Sequence, residues 1–157
     1  MCGIFPGYSS KVNYFVEQNY IMIFKKEKLR RTITITKDAR DGILTYCKMN
    51  HPNEGILILR GKSKKGNVVV DGLIIPPFSH HGPTFAGFPH SFLPFDPSYV
   101  GTVHSHPSGS AKPSVTDLHN FFGFVSLIVQ SPYEDDDIFA YDRDGNLLEV
   151  TISSDKL

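Results

Sequence analysis

Hydrophobic and polar residues alternate most regularly in RTITITK (Arg31 to Lys37), where Ile33 and Ile35 are separated by threonines. That period of two predicts a strand with one buried face. In DARDGILTYCKMNHP the apolar positions Ala39, Ile43 and Cys47 recur every four residues, which predicts a helix with Asp38 as N-cap and Pro52 as its stop. EGILILRG and NVVVDGLII are short apolar runs divided by turn chemistry between Gly61 and Gly66, and they read as neighbouring strands. YVGTVHSH reads as a further strand, SVTDLHNFFG as a helix ended by Gly123, and FVSLIVQ as a buried strand. DIFAYDRDGNLLEVTI reads as a hairpin turning at Asp144–Gly145. The stretch from Pro76 to Ser98 has no period and is dense in proline and phenylalanine. An unstructured loop longer than ~15 residues is uncommon in a compact domain and is expected to have a function.

Strands and helices mix without a regular βαβ repeat, so one α/β domain over residues 31–153 is expected. Residues 1–30 form an N-terminal extension in which NYIMIF (Asn19 to Phe24) could add a strand, followed by the solvated basic run KKEKLRR. A length of 157 residues suits a single domain with a core of its own. The 16 basic and 16 acidic residues cancel, so there is no electrostatic footprint for nucleic acid and none is expected as a partner. Two cysteines, Cys2 and Cys47, cannot build a disulfide framework, which favours a reducing, cytoplasmic setting. No apolar run reaches the ~18 residues of a membrane span, and the start lacks the order of a signal peptide. No membrane partner is expected.

The chemistry is concentrated in GTVHSHPSGSAKPSVTD, residues Gly101 to Asp117. On a strand, His104 and His106 project from the same face, and paired imidazoles suit a zinc ion. Pro113 fits the first turn of a helix, on which Ser114 and Asp117 stand three apart on one face. If that helix start folds back beside the strand, Asp117 becomes a third ligand and a fourth position stays open, as in catalytic zinc sites. Each piece also has an ordinary reading. Ser114 and Asp117 can be a helix cap, His-x-His a half-exposed strand, and Glu54 a solvated residue at a strand start.

HSHP, seven residues to a serine and then S-x-x-D, resembles the signature of the JAMM (MPN+) zinc metalloproteases. That signature also has an upstream glutamate, matched by Glu54 in PNEGILILRG. The resemblance spans Arg31 to about Ile152, and GTV departs from the bulky aromatic often found before the first histidine. It implies a MPN/JAB fold, a curved mixed β-sheet packed between helices and related in outline to cytidine deaminase. It implies one Zn²⁺ held by His104, His106 and Asp117, with Glu54 and Ser114 catalytic. A zinc-bound water would be the nucleophile, Glu54 would move its proton to the leaving amine, and Ser114 would donate to the developing oxyanion. The implied activity is hydrolysis after the C-terminal glycine of a ubiquitin-like modifier or sulfur-carrier protein, by an enzyme of the stand-alone prokaryotic or archaeal type. The Pro76–Ser98 loop falls where relatives place a substrate-contacting insertion, so Phe85, Phe88 and Phe92 are expected to clamp the modifier tail. The alternative for these rings is a plug over the sheet. Two other readings are a non-catalytic scaffold of the same fold and a RadC-like role in DNA metabolism. A complete set of motif residues argues against the first, and Ser105 between the histidines with zero net charge against the second. A monomer or homodimer is expected.

The remaining chemical residues are expected to be incidental. Cys2 resembles the N-terminal cysteine of glutamine amidotransferases, but no further signature follows it. Cys47 is expected in the core. His80, His81 and His90 could form an accessory metal site, although exposed loop histidines are commoner. His119 lies ~200° around the helix from Asp117 and should face away. DRDGN is a hairpin turn, not a calcium loop, and EDDD a solvated acidic segment.

Overall fold

A computed structural model describes residues 31–153. The strand expected within residues 1–30, and Cys2, lie outside the described residues. The described elements are β1 (Thr32–Thr36), α1 (Lys37–Asn50), β2 (Ile56–Lys64), β3 (Asn67–Ile74), β4 (His80–Gly82), β5 (Phe85–Gly87), β6 (Tyr99–His106), α2 (Val115–His119), β7 (Val125–Gln130), β8 (Ile138–Tyr141) and β9 (Leu147–Ser153). They form one α/β domain. Seven strands in the order β1-β3-β2-β6-β7-β8-β9 make a mixed sheet that curls until β9 pairs with β1 and closes it. β6 and β7 run parallel, whereas β2 and β6 are antiparallel.

Both faces of this sheet are used. One packs on α1, where Ala39, Ile43, Leu44 and Cys47 meet Ile33, Ile35, Leu57, Leu59, Val103 and Leu127 in the core. The other buries Ile56, Ile58 and Ile128 together with Thr102, His104, His106 and Ser126. Alternation along β6 therefore puts Val103 into the core and both histidines on the opposite face. The register between β2 and β6 slips at Leu59/Arg60, with Leu59 opposite Gly101 and Arg60 opposite Tyr99. The extra residue, Val100, is fully buried in the core, as a bulge that re-aims its strand allows.

Four local expectations change. The N-cap of α1 is Thr36, whose hydroxyl accepts the Ala39 N–H at 3.4 Å, so Asp38 sits inside the first turn. There its charge still favours the helix dipole. The β2–β3 turn is Lys65–Gly66, with φ of 51° and 87°, and Gly61 lies within β2 at the bulge. A two-residue turn with both φ positive matches the twist of a hairpin. The helix expected through Gly123 stops at His119, with Asn120 as C-cap. Gly123 instead turns the chain into β7 at φ 74°, where a Cβ would lie 2.7 Å from the Val100 carbonyl oxygen. Finally, the Pro76–Ser98 loop contains the β4–β5 hairpin and a 3₁₀ turn at His90–Phe92. Among the described residues no helix is long and apolar enough to cross a membrane.

Candidate metal centre

β6 ends in the two histidines, and their rings converge. His104 Nε2 and His106 Nε2 are 3.1 Å apart. His106 Nδ1 pairs with the Ser110 carbonyl at 2.6 Å. A carbonyl only accepts, so Nδ1 carries the proton and Nε2 turns its lone pair into the site. The helix start closes against this pair, which is the condition for Asp117 to join the histidines. Asp117 Oδ1 lies 3.3 Å from His104 Nε2, and Oδ2 lies 3.7 Å from His106 Nε2. The capping box is the device that aims this carboxylate. The Ser114 N–H donates to Asp117 Oδ2 at 2.6 Å, and the Asp117 N–H donates to Ser114 Oγ at 3.1 Å. The ordinary helix-cap reading and the ligand reading thus describe the same contacts. Because Ser114 Oγ accepts from Asp117, its own proton stays available to a group in the cleft.

The ligand atoms of His104, His106 and Asp117 all lie within 4.8 Å of one another. Bonds of ~2.0–2.1 Å in a tetrahedral array put ligand atoms ~3.3 Å apart. His104 Nε2–His106 Nε2 at 3.1 Å and His104 Nε2–Asp117 Oδ1 at 3.3 Å match that separation, while His106 Nε2 approaches the other carboxylate oxygen, Oδ2, at 3.7 Å, so two imidazoles and one carboxylate converge as a donor set that suits zinc. Charge supports the same grouping. Burial would raise the Asp117 pKa, but the adjacent imidazoles of His104 and His106 outweigh it and hold the carboxyl well below the usual range. For His106, burial lowers the pKa, yet the neighbouring Asp117 carboxylate and the hydrogen bond to the Ser110 carbonyl leave it raised.

Glu54 stands just before β2, and its main chain is tied on both sides. The Glu54 N–H donates to the Gly82 carbonyl at 2.8 Å, and the Glu54 carbonyl pairs with His81 Nδ1 at 3.0 Å. The following residue, Gly55, exchanges two hydrogen bonds with Ser105. Burial raises the Glu54 carboxyl above its ordinary value, and the nearby His106 and His104 partly offset this. A partly desolvated carboxylate beside a metal position is suited to exchanging protons near neutral pH.

Glu54, Ser114 and the three metal-ligand candidates line one cleft of about 770 Å³. Phe85 and Phe88 stand in its wall. Phe92 does not line it. It packs on Phe78, with ring centroids 5.1 Å apart, and remains exposed. The plug reading fares no better, because Phe78, Phe85, Phe92 and Phe95 are all exposed rather than laid over the sheet. His90, expected as an accessory metal ligand or an exposed loop residue, packs at a tilt against Phe88 and Phe122, with ring centroids 4.8 and 5.1 Å away, and lines the cleft. The sequence reading missed Thr102 and Ser126, paired across β6 and β7 and lining the cleft. Their even spacing with His104 was the signal for Thr102. His81 is engaged by Glu54 and Ser79, and among the described residues no second group of three metal ligands forms. His119 is exposed and outside the cleft, as its helical position predicted. Cys47 is buried in the core, and burial pushes its thiol up to about 12.

Comparison with known proteins agrees with this geometry. Residues 36–144 match the family described as prokaryotic homologs of the JAB domain. A probable metalloprotease of Haloferax volcanii is 37% identical over 131 residues, covering 78% of this chain and 81% of that protein. The fold is similar to a JAB1/MPN domain protein from Archaeoglobus fulgidus, with TM-score 0.60, 34% identity, and coverage of 77% of this chain and 99% of the other. It is also similar to a structure described as JAMM, a metalloprotease-like zinc site in the proteasome and signalosome. There the TM-score is 0.58 at 31% identity, covering 78% of this chain and 99% of that one. The chain belongs to the prokaryotic JAB-domain family, a metalloprotease-like class within the JAMM and MPN proteins.

Proposed function

We propose that the protein is a zinc-dependent peptidase or isopeptidase that cleaves after the C-terminal glycine of a ubiquitin-like modifier or sulfur-carrier protein. The observation that carries the reading is the convergence of the ligand atoms of His104, His106 and Asp117, all within 4.8 Å of one another, in the same cleft as Glu54 and Ser114. Zinc, when bound, supplies a Lewis acid that polarises the scissile carbonyl and brings water toward ionisation near pH ~7. The chain's own groups do the rest. Glu54 takes the proton of the attacking water and passes it to the leaving nitrogen. Ser114 donates its hydroxyl proton to the oxygen on which negative charge develops. Ser110 holds His106 in the tautomer that leaves Nε2 free. Asp117 neutralises part of the metal's charge.

The open face of the cleft supports a macromolecular substrate. The β4–β5 hairpin and the exposed ring of Phe85 form one wall, so an extended tail could lie beside the hairpin with its terminal carbonyl toward the histidines. The test uses zinc-loaded protein and Glu54→Gln with a panel of modifiers joined to a partner through isopeptide or linear bonds, read by intact mass. Cleavage after the terminal glycine by the parent alone is expected. Equal cleavage by both proteins, or by neither while zinc is bound, would contradict the reading.

A further inference from the structure

Ser105 lies between the two histidines, and its side chain points away from the metal position. Alternation puts it on the core face of β6, where it is completely buried. There it makes two specific contacts with the residue next to Glu54. Ser105 Oγ accepts the Gly55 N–H at 2.8 Å, and the Ser105 N–H donates to the Gly55 carbonyl at 3.0 Å. A Cβ on Gly55 would meet the Tyr46 ring at 2.8 Å, so the residue is also held close against α1.

Strand pairing cannot make the Oγ contact. The ladder between β2 and β6 begins at Ile56 opposite His104, one residue beyond Gly55. Without the hydroxyl, the Gly55 N–H would be a buried donor with no partner, a costly arrangement that rotating the peptide can relieve. The peptide in question is the one joining Glu54 to Gly55. Its rotation swings the Glu54 carbonyl, and with it the origin of the Glu54 side chain.

We propose that Ser105 is a positioning residue for catalysis: through the Gly55 amide it fixes the Glu54–Gly55 peptide and so holds the Glu54 carboxylate at the metal centre. This rests on the reading of Glu54 as the proton-transferring group. One strand then sets both halves of the site, the ligands His104 and His106 from one face and the base from the other.

The test compares zinc-loaded parent, Ser105→Ala, Ser105→Thr, Ile43→Val and Glu54→Gln. The substrate probe is ubiquitin joined through its terminal glycine to a fluorogenic lysine peptide, together with whichever modifier the parent cleaves best. Backbone exchange of the Gly55 amide is followed by NMR. Ser105→Ala is expected to lower kcat about 10–100-fold, since small displacements of a reacting group have effects of this size. KM and zinc content should stay near parental. The Gly55 amide should exchange about tenfold or more faster while those of Leu57 and Leu59 do not. Ser105→Thr, which keeps the hydroxyl, should restore most of both. Ile43→Val removes core contacts without touching the clamp and should lower Tm without lowering kcat.

Parental kcat per zinc-bound Ser105→Ala molecule, with Glu54→Gln inactive, would overturn the proposal and leave the base assignment standing. Parental kcat in Glu54→Gln would remove the base assignment and the proposal with it. If Ser105→Ala does not fold, Ser105→Cys, of similar volume but a weaker acceptor, takes its place with the same expectations. Unchanged Gly55 exchange in the variant would overturn the proposal whether or not the probe is cleaved.

Discussion

A carboxylate held between two imidazoles has opposite consequences for its partners. Asp117 is kept ionised well below the usual carboxylate range, and His106 keeps its proton to higher pH than an isolated imidazole. In metal-free protein the Asp117 contribution to stability is fully present above its unfolded pKa of ~4 and is lost as pH falls through its lower folded value. The His106 contribution is fully present below its unfolded pKa of ~6.5 and is lost as pH rises through its higher folded value. The cluster therefore favours the metal-free fold most between about pH 4 and 6.5. Zinc needs the histidines neutral, so it must displace a proton that Asp117 helps to retain. The rise in Tm on adding zinc to chelator-treated protein should grow from pH 6 to pH 8. A rise independent of pH would show that zinc binds elsewhere. At this scale the sequence was informative because ligand chemistry restricts residue type: spacing marked His104, His106 and Asp117 as candidates, and the family signature joined them into one ligand set. Glu54 was not marked by spacing, since a glutamate before a strand is ordinary, and only the family pattern singled it out. Ser105 was invisible as a contact because its partner, Gly55, is distant in sequence.

The elements that carry these residues depend on a few local contacts. Thr36 caps α1, the helix against which the core face of β6 packs. Thr36→Ala should cost about 1 kcal/mol, visible as a fall in Tm with zinc affinity unchanged. Gly123 has the harder role, since a side chain there would combine an unfavourable φ of 74° with a close approach to the Val100 carbonyl. Gly123→Ala should destabilise by about 1–3 kcal/mol, measured by denaturant unfolding of the zinc-free protein. A loss below the error of that measurement would contradict the assigned backbone. Strand periods were legible at β1, β2, β3, β6 and β7 because each has a buried face or two. The helix after Ser114 was overextended because Phe121 and Phe122 continue its apolar pattern. Their rings are instead used where the chain leaves the helix, Phe121 buried and Phe122 packed against His90. The β4–β5 hairpin escaped notice because each strand has only three residues, too few for a period.

For the whole molecule, the closed sheet separates two tasks. One face with α1 supplies stability, and the other carries the cleft, so substitutions in the cleft wall should change function with little change in Tm. Phe85→Ser is expected to raise KM for a modifier substrate about tenfold while zinc content and Tm stay parental, because the ring is exposed and lines the cleft. An unchanged KM would remove the hairpin wall from the substrate path. The α/β class was legible in the mixed strands and helices without a βαβ repeat, and the particular architecture only through the resemblance to the JAMM signature. The closure of the sheet was not, since it depends on β9 meeting β1, 117 residues apart at Thr34 and Thr151. The proposed activity depends first on the metal centre. The most direct test is zinc content and zinc-edge X-ray absorption of the parent beside Asp117→Ala. One zinc per chain with two imidazole ligands and only nitrogen and oxygen neighbours is predicted for the parent, with zinc affinity lowered at least about 100-fold in the variant. A parent that binds no zinc, or a variant that binds it as tightly, would contradict the account.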